Sequence, residues 1–171
     1  MHPDIQHLVV MGVSGCGKST VGEGLAQRLG WLYADGDRFH PQINLDLMAA
    51  GTPLTDEHRW GWLQALATWL TKQETAGRST VLACSSLRRA YRDVLRTGGS
   101  RVRFVHLDGS AEVLRQRLST RAGHFFPPAL LDSQLATLEP LAADEDGVVV
   151  DFALGPTEQV DAALRQLGLG A

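Results

Sequence analysis

The chain has 171 residues, of which 44% are apolar and 20% charged, and its formal net charge is −3. That length supports one α/β domain with a real core, with no need of disulfides or a structural metal. So mild an acidity gives no electrostatic reason to expect nucleic acid or an anionic membrane as partner, and any anion site must be a local cluster of arginine and lysine.

No apolar run reaches the length of a membrane span, and residues 1–7 (MHPDIQH) are too short and polar for a signal peptide. The two cysteines, Cys16 and Cys84, are too few for a disulfide framework and lack metal-ligand spacing. A cytoplasmic protein with free thiols is expected.

Leu8–Met11 (LVVM) reads as a first buried strand. Directly after it, Gly12-Val-Ser-Gly-Cys-Gly-Lys18-Ser19 fits G-x-x-x-x-G-K-[ST] without a mismatch. Glycines in that pattern let successive backbone N–H groups turn inward around phosphates at the positive end of a helix. Lys18 then supplies a mobile cation to the β- and γ-phosphates, and the Ser19 hydroxyl can ligate magnesium. Gly12, Ser14, Gly15, Cys16, Gly17, Lys18, Ser19 and Thr20 are therefore the expected nucleotide-binding residues, with Cys16 facing outward as a bystander. The helix that follows carries Val21, Leu25 and Leu29 on one face. Gly22 and Gly24 inside it cost roughly 1 kcal/mol each against alanine, so close packing on the sheet is expected there.

Trp31–Ala34 is a short second strand running into Asp35-Gly36-Asp37. This places two carboxylates at the carboxyl edge of the sheet, where open α/β folds bind ligands. One can hold a magnesium-bound water while the other accepts the proton of an attacking hydroxyl. A helical segment around 42–50 ends at Gly51, and Thr55 is placed to cap the next helix ahead of Asp56 and Glu57. That helix shows two apolar stripes, Trp60, Leu63, Ala67, Leu70 and Trp62, Leu66, Trp69, which predicts burial on both sides or a partner.

Thr80–Cys84 is a third strand, with Ser85-Ser86-Leu87-Arg88-Arg89 at the same sheet edge. Arg88, Arg89 and Arg92 crowd a helix start, where positive charge opposes the dipole, and an anionic ligand would relieve the conflict. Arg103–Leu107 is a fourth strand, and Ser110 can cap the helix bearing Val113, Leu114 and Leu118. Arg117 and Arg121 share a face of that helix and lead into Ala122-Gly-His-Phe-Phe-Pro-Pro128, a stretch unsuited to a continuous helix. It reads as a flap whose arginines reach the transferring phosphate and exclude water, with His124 as a substrate or lid contact. Gly147–Asp151 is a fifth strand, and Pro156 opens a last helix with Val160, Ala163, Leu164 and Leu167 inward.

The expected architecture is α/β: one P-loop domain over residues 1–171, a five-stranded, mostly parallel sheet flanked by helices, and a lid at about 121–137. The residues alone point to phosphoryl transfer from ATP. They leave open which small acceptor is used, and whether the chain is instead a nucleotide switch without one.

MGVSGCGKST, DGDRFHPQINLDLMAAGTPLTDEHRWGWL, CSSLRRAYRDVLR, FVHLDG and RAGHFFPPALLDSQLATLE together resemble gluconokinase of the P-loop type, from about Leu8 to Asp151. The resemblance implies the nucleoside monophosphate/shikimate kinase fold, usually as a homodimer. It also implies phosphorylation of D-gluconate at its 6-hydroxyl with ATP and Mg2+. It casts Lys18 and Ser19 as phosphate and magnesium residues; the residues themselves put Asp35 on the metal side, since the third strand ends in Cys84 where a P-loop protein often carries an aspartate. Asp37 becomes the base or hydroxyl anchor, with His40 and Arg59 on the sugar-acid side. Ser86, Arg88, Arg92, His124 and Gln134 are further substrate candidates, and Arg117 and Arg121 belong to the ATP side. The family commonly has lysine where Arg88 stands, so a planar fork replaces a point charge there.

Overall fold

The computed structural model describes residues 4–120 and 128–170. Five strands form one sheet: β1 (His7–Met11), β2 (Leu32–Asp35), β3 (Thr80–Ala83), β4 (Val102–Asp108) and β5 (Gly147–Asp151). Their order is β2-β3-β1-β4-β5, with every pairing parallel. Each of the five expected strands lies within a residue or two of its predicted bounds. The central strands β1 and β3 are buried along their whole length, as is β4 except at its last residue. Such continuous burial of mainly apolar residues is what a sheet covered on both faces requires. The outer strands β2 and β5 are only partly covered.

The helices are α1 (Lys18–Leu29), α2 (Gln42–Ala49), α3 (Asp56–Thr75), α4 (Arg89–Arg96), α5 (Ala111–Thr120), α6 (Pro128–Thr137) and α7 (Pro156–Leu167). The two glycines within α1 mark close approaches. A Cβ on Gly22 would lie 2.8 Å from the Tyr33 ring, and one on Gly24 would lie 2.8 Å from Val160 of α7. The helix-propensity cost is thus offset by contact distance to the sheet and to α7.

Thr55 caps α3, its hydroxyl accepting from the His58 N–H while His58 Nδ1 accepts from the Thr55 N–H at 3.0 Å. Along α3 the buried side chains are Trp62, Leu63, Leu66, Ala67 and Leu70. The two expected stripes therefore merge into one broad core face. Trp60 falls outside it, exposed and packed edge-on against Tyr91 at 5.6 Å. Part of the anticipated flap is regular structure, since 128–137 is helix α6 with Leu130 and Leu131 buried. Arg121 and His124 lie outside the described residues. Among the described residues, no helix is long and apolar enough to cross a membrane.

Because all strands run the same way, the connections after β1, β2 and β3 open at one sheet edge. They carry the glycine-rich loop, the Asp35–Asp37 turn and the Ser85–Arg88 segment.

Candidate active site

The loop between β1 and α1 is built around glycine backbones. Gly12, Gly15 and Gly17 all have φ between +84° and +144°. A side chain at Gly12 would also meet Cys16 Sγ at 2.7 Å and the Leu107 carbonyl at 2.9 Å. Cys16 points inward and is fully buried, which corrects the expectation that it faces out. Burial pushes its thiol pKa up, against the opposing pull of Lys18 and Arg117. Lys18 folds back over the loop, its ammonium donating to the Val13 carbonyl at 3.1 Å. The Ser14 N–H donates to Gln134 Oε1 of α6 at 2.7 Å, so a side chain from the far side of the cleft already reaches the phosphate loop.

Facing Lys18 is the turn after β2. Asp35 caps a short 3-10 helix (Gly36–Phe39), its Oδ1 accepting from the Asp37 N–H at 3.0 Å. Asp37 sits at the mouth of the cleft, its carboxylate open to water. The surrounding walls nevertheless raise its pKa, with Lys18 opposing that rise and Asp35 adding to it. His40 lies just behind, its side chain 3% exposed and its Nε2 3.9 Å from Asp37 Oδ1. Its ring stacks on Trp62 at 4.0 Å between centroids, and Trp62 is itself anchored by donating to the Gly36 carbonyl at 2.8 Å. Burial, helped by the positive Arg59, brings the His40 pKa down to about 4, so the ring is neutral at physiological pH.

Arg59 reaches the same cleft from α3. It donates to the Tyr91 hydroxyl at 3.0 Å, and that hydroxyl donates to Asp56. One cavity is lined by Ser14, Lys18, Asp37, His40, Arg59 and Gln134, closed by Met48, Pro53, Leu54, Trp62, Ser85, Leu87, Leu130 and Ser133. Phosphate-loop cation, carboxylate, neutral imidazole and guanidinium thus converge on a single space.

An AAA-domain family model matches residues 8–141. A gluconokinase from Gluconobacter oxydans (strain 621H) is 48% identical over 158 residues, covering 92% of this chain and 89% of the relative. The chain belongs to the gluconokinase family. Two solved structures agree. A sugar kinase from Janibacter sp. HTCC2649 has a TM-score of 0.91 at 48% identity, covering 98% of this chain and 99% of that one. A gluconokinase from Sinorhizobium meliloti 1021 has a TM-score of 0.88 at 43% identity, covering 95% and 91%. The P-loop kinase fold expected from the sequence is therefore the fold of this family member.

Other anticipated site residues are placed elsewhere. Arg92 is fully buried, bidentate to Glu145 at 2.7 and 2.9 Å, and donates to the Ser86 and Glu139 carbonyls at 2.9 and 3.0 Å. It cannot touch a substrate without leaving the core. Ser86 is likewise fully buried, at φ +50°, and its neighbour Ser85 lines the cleft instead. Arg88 is turned to Asp56 at 3.3 Å, and Arg89 forms a fork with Asp144 at 2.8 and 2.6 Å.

The conflict anticipated at the start of α4 is relieved by the protein's own carboxylates. Glu139 accepts from the Arg89 N–H at 2.9 Å, where an external anion had been expected. Arg117 donates to the Phe152 carbonyl at 2.6 Å and lies over that ring. Ser19 and Thr20 are exposed at the start of α1. Trp62, Ser85 and Ser133 were not anticipated as cleft residues, and neither was Asn44, buried behind His40. No helical spacing marks Asn44, because His40 is extended and precedes α2, and the two side chains meet across the turn at Pro41.

Proposed function

We propose that this chain transfers the γ-phosphate of ATP to the 6-hydroxyl of D-gluconate, yielding 6-phospho-D-gluconate. The observation that carries the reading is the single cleft joining Lys18 to Asp37, His40 and Arg59, in a chain 48% identical to a gluconokinase. The loop N–H groups from Gly12 to Thr20 hold the triphosphate, and Lys18 swings from the Val13 carbonyl to the β- and γ-oxygens. Asp37 orients the acceptor hydroxyl and takes its proton as the phosphoryl group moves. Arg59, held by Tyr91, supplies the cation that an aldonate carboxylate needs.

The Ser19 hydroxyl and the Asp35 carboxylate are hard oxygen donors at the phosphate edge, which suits magnesium. Among the described residues, no group of three or more His, Cys, Asp or Glu forms a closed metal cage. Bound magnesium neutralises charge on the phosphates. Gln134 and Ser85 contact the acceptor, and Arg117 the nucleotide side. Arg121 and His124 complete the site as a lid over 121–137. The working form is a cytoplasmic homodimer without nucleic-acid or membrane partners.

The test is coupled ADP release with MgATP against D-gluconate, other aldonates, shikimate, nucleoside monophosphates and no acceptor. Strong stimulation by gluconate alone is expected. Stimulation by a different acceptor would retain the kinase and discard the substrate, and acceptor-independent release would discard both.

A further inference from the structure

Asn44 lies in the first turn of α2 and is 1% exposed. Its amide nitrogen contacts two atoms, the His58 carbonyl at 2.8 Å and His40 Nδ1 at 3.2 Å. A backbone carbonyl can only accept, so the Asn44 atom facing it must be the NH2 group. The second hydrogen of that NH2 then points at His40 Nδ1, which must accept it. A neutral imidazole accepting at Nδ1 carries its proton at Nε2. The ring is neutral, buried behind Trp62 with Arg59 as the cation facing it and Asp37 as the anion. One main-chain carbonyl on α3 therefore determines which His40 nitrogen is a donor.

That donor, Nε2, faces the cleft 3.9 Å from Asp37 Oδ1. The separation is too long for a hydrogen bond between them. It does suit a third oxygen placed about 2.8 Å from each, the ordinary hydrogen-bond length. A hydroxyl there would accept from Nε2–H with a lone pair and donate its own hydrogen to the carboxylate. A ketone or ether could satisfy only the histidine.

We propose that Asn44 locks His40 as the Nε2–H tautomer, so that His40 and Asp37 together read one hydroxyl of the acceptor, His40 donating to its oxygen and Asp37 accepting its hydrogen. This makes Asn44 a positioning residue and the His40–Asp37 pair a hydroxyl-selective contact. It rests on the assignment of this cleft to the acceptor.

The tautomer is measured directly by long-range 1H–15N correlation of the 15N-labelled protein near pH 7 without substrate, using His40→Gln to assign the ring. A bare Nδ1 and a protonated Nε2 are expected. A protonated Nδ1, or averaging between the two forms, would overturn the proposal. Since the spectrum needs no acceptor, its outcome is separate from whether gluconate is the substrate. In Asn44→Asp the group facing Nδ1 becomes an acceptor, so the single proton of the neutral ring should move from Nε2 to Nδ1, a shift that the same spectrum reads and distinguishes from a doubly protonated ring. The KM for whichever acceptor stimulates turnover should then rise roughly tenfold, the scale of one mismatched buried hydrogen bond. The KM for ATP should not rise with it, because Asn44 touches no residue of the phosphate loop. An unchanged acceptor KM, or an equal rise for ATP, would refute the positioning role.

Discussion

Replacing Arg92 by methionine tests whether this side chain serves the fold or the substrate. Its guanidinium forms a fork with Glu145 and also donates to the Ser86 and Glu139 carbonyls, with both charged side chains at most 1% exposed. Removing one partner of a buried pair typically costs about 3–5 kcal/mol. Arg96 remains on Glu145, so the lower end is expected, about 3 kcal/mol, or a fall in Tm of roughly 6–12 °C for a chain of this size.

The pH dependence carries a second signature. Glu145 is held down to about 2 from an ordinary 4.5, despite burial, by the hydrogen bonds of Arg92, the Ala142 N–H and Arg96. A depressed carboxylate stabilises the folded state above its unfolded pKa, and that contribution is lost as pH falls from about 4.5 through about 2. It amounts to about 3 kcal/mol. With Arg92 gone, Glu145 is less depressed, so the gap between variant and wild type should be largest near pH 7 and narrow toward pH 3. Denaturant melts across that range measure it, with acceptor KM taken on the folded variant at low temperature. A wild-type melting curve combined with a raised acceptor KM would refute the structural assignment and return Arg92 to the substrate.

Lys18→Ala should reduce phosphoryl transfer by roughly two to three orders of magnitude, the scale for losing one preorganised charge at the transition state, with an unchanged melting curve. Normal turnover by the folded variant would remove Lys18 from the mechanism. Asp37→Asn should lower kcat by about 10²–10⁴-fold, the range for a positioned base, while leaving the KM for ATP near wild type. Equal loss in both would reassign Asp37 to nucleotide binding. Burial raises the thiol pKa of Cys16 and pushes that of Cys84 up to about 11, so neither should react with a disulfide reagent at pH 8 until the protein is unfolded. Rapid labelling of native Cys16 would contradict its inward placement.

The sheet was readable because its strands are short, predominantly apolar segments bounded by glycine, proline and charged residues. The phosphate loop was readable because its chemistry is local, compressed into eight consecutive residues. The Asp35–Asp37 pair followed from its position at a strand end, whereas His40 came only from the family resemblance. Arg92 misled for a physical reason: its partner Glu145 is 53 residues away, and no local pattern separates a guanidinium paired in the core from one waiting for an anion. Cys16 misled because the orientation of a side chain within a glycine loop depends on the packing beneath it. Asn44 escaped notice because its role runs through His40 and a carbonyl on another helix, a three-body arrangement with no signature in spacing.

The strand order has a consequence for how the protein is made. β1, which launches the phosphate loop, sits in the middle of the sheet and has both its neighbours later in the chain. Its first partner, β3, begins at Thr80, 73 residues after His7. At about 5–20 residues per second, a ribosome needs roughly 4–15 s to supply it. The second flank, β4, comes later still. During that interval the nascent Leu8–Met11 segment is a fully apolar strand with two open edges. The segment that organises nucleotide binding is thus synthesised before either of its sheet neighbours, and it is where a growing chain most needs protection from pairing with other chains.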